Sequence, residues 1–358
     1  MACKKRIEWI DIAKGIAIIC VVIGHVVSSY HEAGIYEDNA WWNFAHQFVY
    51  SFHMALFMVL SGLLFAMGRK RESKDKGKQI LQKLIDYGIP YVFFSALWVF
   101  MKIILASVTN SAVSIRDMLL IGIYPISFMW YLYALLLMQI IQIAIGNKAE
   151  KTPFKICHLI IGGGGYLLQP YMESALAGTN FSDCVVNDVL KFYIFYLIGV
   201  YGGKRIVEMT RSKNAGGNGA FISSGMVWIL GNIVLFATDV ALAGVTDRLV
   251  DFVIAVAGIV FLVMASEKIA RTGAKAGKKL LTILGKDSLP IYVLQGMVIA
   301  AMRIVLTKLH MNDGLGIIPM VVCTVFGCAL PLLAYFISTK IWKLDGLFYP
   351  GRYLRAGK

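Results

Sequence analysis

The sequence predicts an all-α protein: a polytopic membrane helical bundle with about ten transmembrane helices and both termini cytoplasmic. Hydrophobic residues make up 58% of the 358 residues and charged residues only 16%, which is too apolar for a soluble domain. Apolar runs recur along the whole chain, and most are long enough to span about 30 Å of hydrocarbon. These runs lack the alternating pattern of barrel strands, so each is predicted to be a helix.

Ten apolar runs are predicted to cross the membrane, and no remaining segment is long enough to fold alone, so residues 1–358 are predicted to form a single domain. The predicted spans are residues 9–30, 44–67, 84–106, 128–146, 154–171, 188–203, 221–243, 248–266, 280–305 and 315–340.

The basic residues predict the orientation. The termini and the connections on the termini's side carry most of the 35 lysines and arginines, so the positive-inside rule places both termini in the cytoplasm. The same distribution accounts for the net charge of +14, which in a soluble protein would suggest a nucleic-acid partner. We therefore expect the lipid bilayer as a partner and no nucleic acid.

The first span carries three groups that lipid should reject, namely Asp11, Lys14 and His25. A helix turns about 100° per residue, so Lys14 and His25, eleven residues apart, lie only about 20° apart around the axis. A charge facing hydrocarbon costs at least ~2.5 kcal/mol, so this polar stripe should face the protein interior and line a site. Alternatively, Asp11 and Lys14 form a paired, snorkelling boundary at the cytoplasmic end.

The second span carries His46 and His53, which are seven residues apart and hence on one face of a continuous helix. The second helix runs from the outer surface back toward the cytoplasm, so His53 lies at about the same membrane depth as His25 on the first helix. Two buried histidines at matching depth could share one cavity. The alternative is that each one bonds the backbone of a neighbouring helix.

Three further features are candidates for binding or support. The basic cytoplasmic segment that includes Arg69 and Arg71 could hold phosphates, or it could only fix the topology and touch anionic lipid. Tyr131 and Gln295 place polar groups within apolar helices, and Gln295 could simply form a hydrogen bond to a neighbouring helix. The cysteines show no metal-ligand spacing, so no metal site is predicted.

Five segments together resemble the acyltransferase-3 family, the integral-membrane O-acyltransferases that modify sugars and cell-envelope polymers, and the first helix is similar to the fucose 4-O-acetylase-like branch. The segments are WIDIAKGIAIICVVIGH at 9–25, FHMALFMVLSGLLF at 52–65, IPY at 89–91, MWYLYALL at 129–136 and SLPIYVLQ at 288–295. The resemblance spans nearly the whole chain. It implies ten core helices, cytoplasmic acyl-CoA as donor substrate and no permanently bound cofactor.

The resemblance also implies roles for particular residues. The family's first helix has a basic residue, usually arginine, separated by ten residues from an essential histidine, and here these are Lys14 and His25. Lysine keeps the charge but loses the bidentate fork of arginine. The family's arginine pair after the second helix corresponds to Arg69 and Arg71. Many members end the SLPIY segment with histidine, but Gln295 cannot take a proton, so no acid–base role is expected there.

Acyl transfer from a thioester to a hydroxyl needs a base for the alcohol proton and stabilisation of the oxyanion. His25 is the natural base near neutral pH, although it could instead be acylated as a nucleophile. His53 or Lys14 could stabilise developing charge. Lys14 could also hold the donor phosphates together with the two arginines, and Asp11, Tyr131 and Gln295 are possible supports.

The predicted function is a membrane O-acyltransferase in a bacterial-type cytoplasmic membrane. It would move an acyl group, with acetyl expected, from acyl-CoA to a hydroxyl of a sugar or of a cell-envelope or lipid-linked glycan. The alternative is a transporter or flippase for a polar or glycan-linked solute, because intramembrane charges also mark transport paths. Against this alternative, the sequence shows no repeated halves and no matched pair of broken helices.

Overall fold

A computed structural model describes residues 7–68, 75–104, 118–146, 151–179, 184–211, 218–238, 244–272, 275–341 and 343–355. Within these ranges the chain forms helices joined by turns and no β-strand, which confirms the all-α fold class. The α-helices are α1 Glu8–His31, α2 Ala40–Tyr50, α3 His53–Gly68, α4 Lys76–Lys83, α5 Ile89–Ile104, α6 Trp130–Ile145, α7 Thr152–Leu176, α8 Val185–Arg211, α9 Asn218–Thr238, α10 Gly244–Arg271, α11 Lys275–Lys286, α12 Ser288–Lys308, α13 Ile317–Ser338 and α14 Gly351–Arg355. A π-helix at Leu84–Gly88 joins α4 to α5, and short 3-10 helices occupy Ser127–Met129 and Leu344–Leu347.

In the described ranges, nine helical segments are long and apolar enough to cross a membrane. They confirm a polytopic membrane bundle. The predicted span at 154–171 is not one of the nine, although α7 forms there as a helix of 25 residues. The reason is composition, because Lys155, His158 and Gln169 make α7 less apolar than the other long helices.

Two predicted spans are each built from two α-helices. The second consists of α2 and α3, separated by a turn at Ser51 and Phe52, yet together they still form one apolar segment of 29 residues. The ninth consists of α11 and α12, separated at Asp287, and only α12 is apolar enough to span a membrane. Helix α11 has only 12 residues, four of them lysine, so it is too short and too charged to span a membrane.

The chain divides into two compact units. Unit 1 is Met1–Leu60 with Arg205–Ala334, and unit 2 is Ser61–Lys204 with Tyr335–Lys358. A single domain over residues 1–358 stays a prediction.

In unit 1, α1 is the central helix and packs against α2, α10, α11 and α12. Most of α1 is buried. A largely apolar helix is stable only when protein or lipid surrounds it, and here the neighbouring helices of unit 1 supply most of that cover.

Helices α1 and α11 cross with their backbones in close contact. A Cβ added at Gly15 would overlap the carbonyl oxygen of Leu281, and one added at Gly285 would overlap the carbonyl oxygen of Asp11. Lys278 Nζ also lies 3.0 Å from Glu8 Oε2 at this end of α1. Small residues therefore set how closely the two helices approach, as is common in membrane proteins.

We expect Gly285→Ala to lower the stability of the folded protein by about 1–3 kcal/mol, because the new methyl group would force the two backbones apart. Thermal unfolding of the purified protein in detergent measures this loss. Gly277→Ala is the matched control on the same helix, since no atom lies within 4 Å of its added Cβ. Equal unfolding temperatures for the two variants would contradict the close approach.

In unit 2, α4 and the π-helix pack against α6, and Lys76 Nζ donates to the carbonyl oxygen of Ala144 at 2.7 Å. A buried polar network joins α6, α7 and α8. In this network His158 lies 2.9 Å from the Tyr193 hydroxyl, which accepts a hydrogen bond from Gln142 at 3.0 Å.

Candidate active site

His25 lies in α1, and its side chain is partly exposed although its neighbours Gly24 and Val26 are buried. It is close enough to His53 and His46 for the three rings to interact electrostatically. The structure thus brings together the histidines that the sequence placed at matching depth. Their chemical roles stay predictions.

Tyr50, the last residue of α2, packs among these histidines. Its ring covers the backbone of Gly24, where an added Cβ would lie 2.8 Å from Tyr50 Cε2. It stacks on His46 with 4.1 Å between ring centroids and meets His53 edge-on at 4.9 Å. Tyr50 as a whole is 42% exposed, so these contacts leave part of the residue accessible.

Polar residues of α1 therefore face polar residues of α2. Ser28 Oγ lies 3.4 Å from His46 Nε2, and the Tyr50 side chain also hydrogen-bonds to Ser28. We call this region the polar cleft and define it by five residues: His25, Ser28, His46, Tyr50 and His53. Among the described residues, no group of histidine, cysteine, aspartate or glutamate side chains is suited to holding a metal ion. The cleft offers imidazole acid–base chemistry.

The surroundings of His53 set its tautomer. Its side chain is 2% exposed, and Nδ1 hydrogen-bonds to the backbone carbonyl oxygen of Val49. A carbonyl can only accept, so Nδ1 carries the proton and donates it. In the neutral ring Nε2 is then the nitrogen that can take up a proton.

The break between α2 and α3 positions His53. Ser51 Oγ accepts hydrogen bonds from Trp228 Nε1 at 3.1 Å and from Asn232 Nδ2 at 3.3 Å, both on α9. It donates to the carbonyl oxygen of Phe48 at 2.8 Å. The turn at Ser51 and Phe52 interrupts the helix between His46 and His53, so the expectation of one continuous helix is wrong, although both rings still contact Tyr50.

Asp11 and Lys14 lie near the start of α1. Asp11 is 4% exposed where α1 crosses α11, and Lys14 is partly exposed. Lys14 is about 16 Å from His25 along the helix. Both roles expected for Lys14, charge stabilisation and donor binding, stay predictions.

The remaining predicted residues are Tyr131, Arg69, Arg71 and Gln295. Tyr131 belongs to unit 2, where its hydroxyl is 3.1 Å from Ser61 Oγ. Arg69 and Arg71 lie outside the described residues. Gln295 lies in α12 and is fully buried, and neither atom of its amide has a hydrogen-bond partner among the described residues. Gln295 therefore forms no hydrogen bond that joins two of the described helices.

Arg303 is a candidate that the sequence analysis missed. It is 8% exposed within the apolar helix α12 and interacts electrostatically with Tyr30, Glu32 and Cys323. A single arginine inside an apolar span was the available signal, because a charge at membrane depth is a functional-site hypothesis by default.

Comparison with known proteins gives the family of the chain. The acyltransferase-3 family model, described as an acyltransferase domain, matches residues 7–336. The chain is also 30% identical over 129 residues to the nodulation protein NolL of Mesorhizobium japonicum, over 35% of this chain and 32% of that protein. It is 38% identical over 91 residues to the nodulation protein NolL of Sinorhizobium fredii, over 24% of this chain and 23% of that protein.

The chain thus spans a third or less of the length of each of these curated relatives. No solved structure matches the chain. The family assignment rests on the family model, which covers most of the chain and all five residues of the polar cleft. The chain therefore belongs to the acyltransferase-3 family, which places it among the integral-membrane acyltransferases.

Proposed function

We propose that the protein is a membrane O-acyltransferase that moves an acetyl group from acyl-CoA to a hydroxyl of a sugar or a cell-envelope glycan. The observation that carries this proposal is the polar cleft, where Tyr50 contacts His46 and His53 and covers the backbone next to His25. Acid–base groups at membrane depth suit a reaction between a cytoplasmic donor and a polar acceptor.

In the proposed reaction, the acceptor hydroxyl oxygen attacks the carbonyl carbon of the thioester. His25 takes the hydroxyl proton, and the carbonyl oxygen becomes an oxyanion. When this intermediate collapses, the carbon–sulfur bond breaks and the CoA thiolate leaves and recovers the proton. The Val49 carbonyl orients His53 so that its Nε2 can share the proton-transfer work.

The donor would enter from the Lys14 end of α1, which the positive-inside rule places at the cytoplasm. There Lys14 would attract the donor phosphates, together with Arg69 and Arg71, which lie outside the described residues. The acceptor would enter from the end of α1 that leads to α2, where His46 is partly exposed and Tyr50 is 42% exposed. The membrane would be the cytoplasmic membrane of a bacterium.

The test is an assay of the purified protein in detergent with radiolabelled acetyl-CoA and a panel of methyl glycosides that includes methyl α-L-fucopyranoside. We expect release of CoA together with an acetylated glycoside, identified by mass spectrometry. Because the family modifies sugars, at least one glycoside should serve as acceptor. Folded protein that releases no CoA and acetylates no glycoside would overturn the proposal and favour the transporter alternative.

A further inference from the structure

Gln295 is a buried amide that the proposed chemistry does not yet use. It is fully buried, and both its Nε2 and its Oε1 lack a hydrogen-bond partner among the described residues. Leaving such atoms unpaired destabilises a protein, so an orphaned buried amide needs an explanation. A ligand that brings its own donor and acceptor supplies one.

The neighbouring helices give the depth of Gln295 relative to His25. A Cβ added at Gly327 of α13 would lie 2.8 Å from Val22 Cγ1 and 3.4 Å from Ile299 Cγ1, so these two residues are level. At the other end, Gly285 just before α12 packs on the carbonyl oxygen of Asp11. Helices α1 and α12 therefore run in the same direction.

Gln295 is one turn before Ile299, on the same face of α12 and about 6 Å toward the Lys14 end. That position is level with Ile18 of α1. Measured along the axis of α1 from its N-terminal end, Gln295 thus lies about 6 Å past Lys14 and about 10 Å before His25. It lies between the predicted phosphate-binding end and the candidate base.

We propose that the side-chain amide of Gln295 binds the pantetheine arm of acyl-CoA by hydrogen-bonding to the amide between β-alanine and pantoate. This inference rests on the proposed function and names a subsite for its donor. The pantetheine arm is a narrow chain with two secondary amides, and each amide offers one N–H donor and one C=O acceptor. These are the complements of the Oε1 and Nε2 of glutamine.

The length of the pantetheine arm determines which of its two amides can lie at the level of Gln295. An extended chain advances about 1.2 Å per bond, and seven bonds separate the thioester sulfur from the nitrogen of the amide next to pantoate, or about 8–9 Å. The nearer amide nitrogen is three bonds away, or about 4 Å. With the thioester beside His25, the farther amide matches the level of Gln295.

A substrate-truncation experiment tests this contact. The two donors are S-acetylpantetheine, which carries both amides, and S-acetyl-N-acetylcysteamine, which carries only the amide nearer the sulfur. Gln295→Met keeps the side-chain length and removes the amide. We expect it to lower kcat/KM for S-acetylpantetheine about tenfold, while kcat/KM for S-acetyl-N-acetylcysteamine changes less than about twofold.

A stability measurement separates ligand binding from a structural role. Gln295→Met removes two unpaired buried polar atoms, so we expect the Tm of the ligand-free protein to rise by about 2–4 °C. Gln169→Met is the matched control: Gln169 is also buried but donates to Glu173 at 2.8 Å, so its loss should lower Tm and leave the donor preference unchanged.

An equal loss on both thioesters, or a fall in Tm for ligand-free Gln295→Met, would overturn the pantetheine contact. If wild-type protein uses the donors but Gln295→Met does not show the larger loss for S-acetylpantetheine, the pantetheine contact is wrong and the proposed function stands. Wild-type protein that uses neither acetyl-CoA nor the truncated donors would overturn both proposals.

Discussion

His25→Ala is expected to lose nearly all acetyl transfer while folding, inserting into the membrane and binding CoA as the wild type does. General-base assistance is typically worth 10²–10⁴ in rate, and loss of a covalent nucleophile costs more. His25 is partly exposed in the polar cleft, so the substitution removes an imidazole at the proposed reaction centre and leaves the buried face of α1 intact. The measurement is kcat for acetylated glycoside.

His310→Asn is the matched control for this variant. His310 is exposed, and its φ of 53° is a conformation that asparagine tolerates, so this change should leave the rate unaltered. Mass spectrometry of wild-type protein incubated with acetyl-CoA alone separates the two roles of His25, since only a nucleophile becomes acetylated. A folded His25→Ala protein that transfers acetyl at near wild-type rate would refute the catalytic assignment.

Substitution of His53 is expected to have the second largest effect, a loss of about 10² in kcat, at the low end of the range for general-base catalysis. The loss is smaller than for His25 because His25 remains in the cleft. Since Nδ1 of His53 donates to Val49, its Nε2 in the neutral ring is an acceptor and not a donor toward an oxyanion. His53→Gln should therefore be as impaired as His53→Ala, because glutamine cannot take a proton.

The comparison of these two variants distinguishes proton transfer by His53 from hydrogen-bond donation by His53. If His53→Gln keeps near wild-type kcat while His53→Ala loses activity, His53 acts as a hydrogen-bond donor to the oxyanion and not in proton transfer. Circular dichroism and size-exclusion profiles of both variants serve as folding controls, because His53 is buried at the start of α3.

The contrast between His46 and His53 shows where sequence reasoning succeeded and where it failed. The sequence placed His53 at the depth of His25 and put His46 on the same face as His53, and the structure brings the three histidines close enough to interact electrostatically. The prediction assumed one straight helix, and that part was wrong. At the break, Ser51 accepts a hydrogen bond from Trp228, which is 177 residues away in the chain. No local pattern at 44–67 contains that contact.

By itself, the sequence determined the helical class, most of the membrane spans and the polar stripe of α1, because hydropathy and helical period are properties of neighbouring residues. Only the tertiary structure decided how Tyr50 packs among the histidines, which nitrogen of His53 carries its proton, and that the amide of Gln295 is buried without a described partner. The physical reason is that a hydrogen bond or ring contact depends on the positions of atoms contributed by different helices. Those positions exist only once the helices have packed.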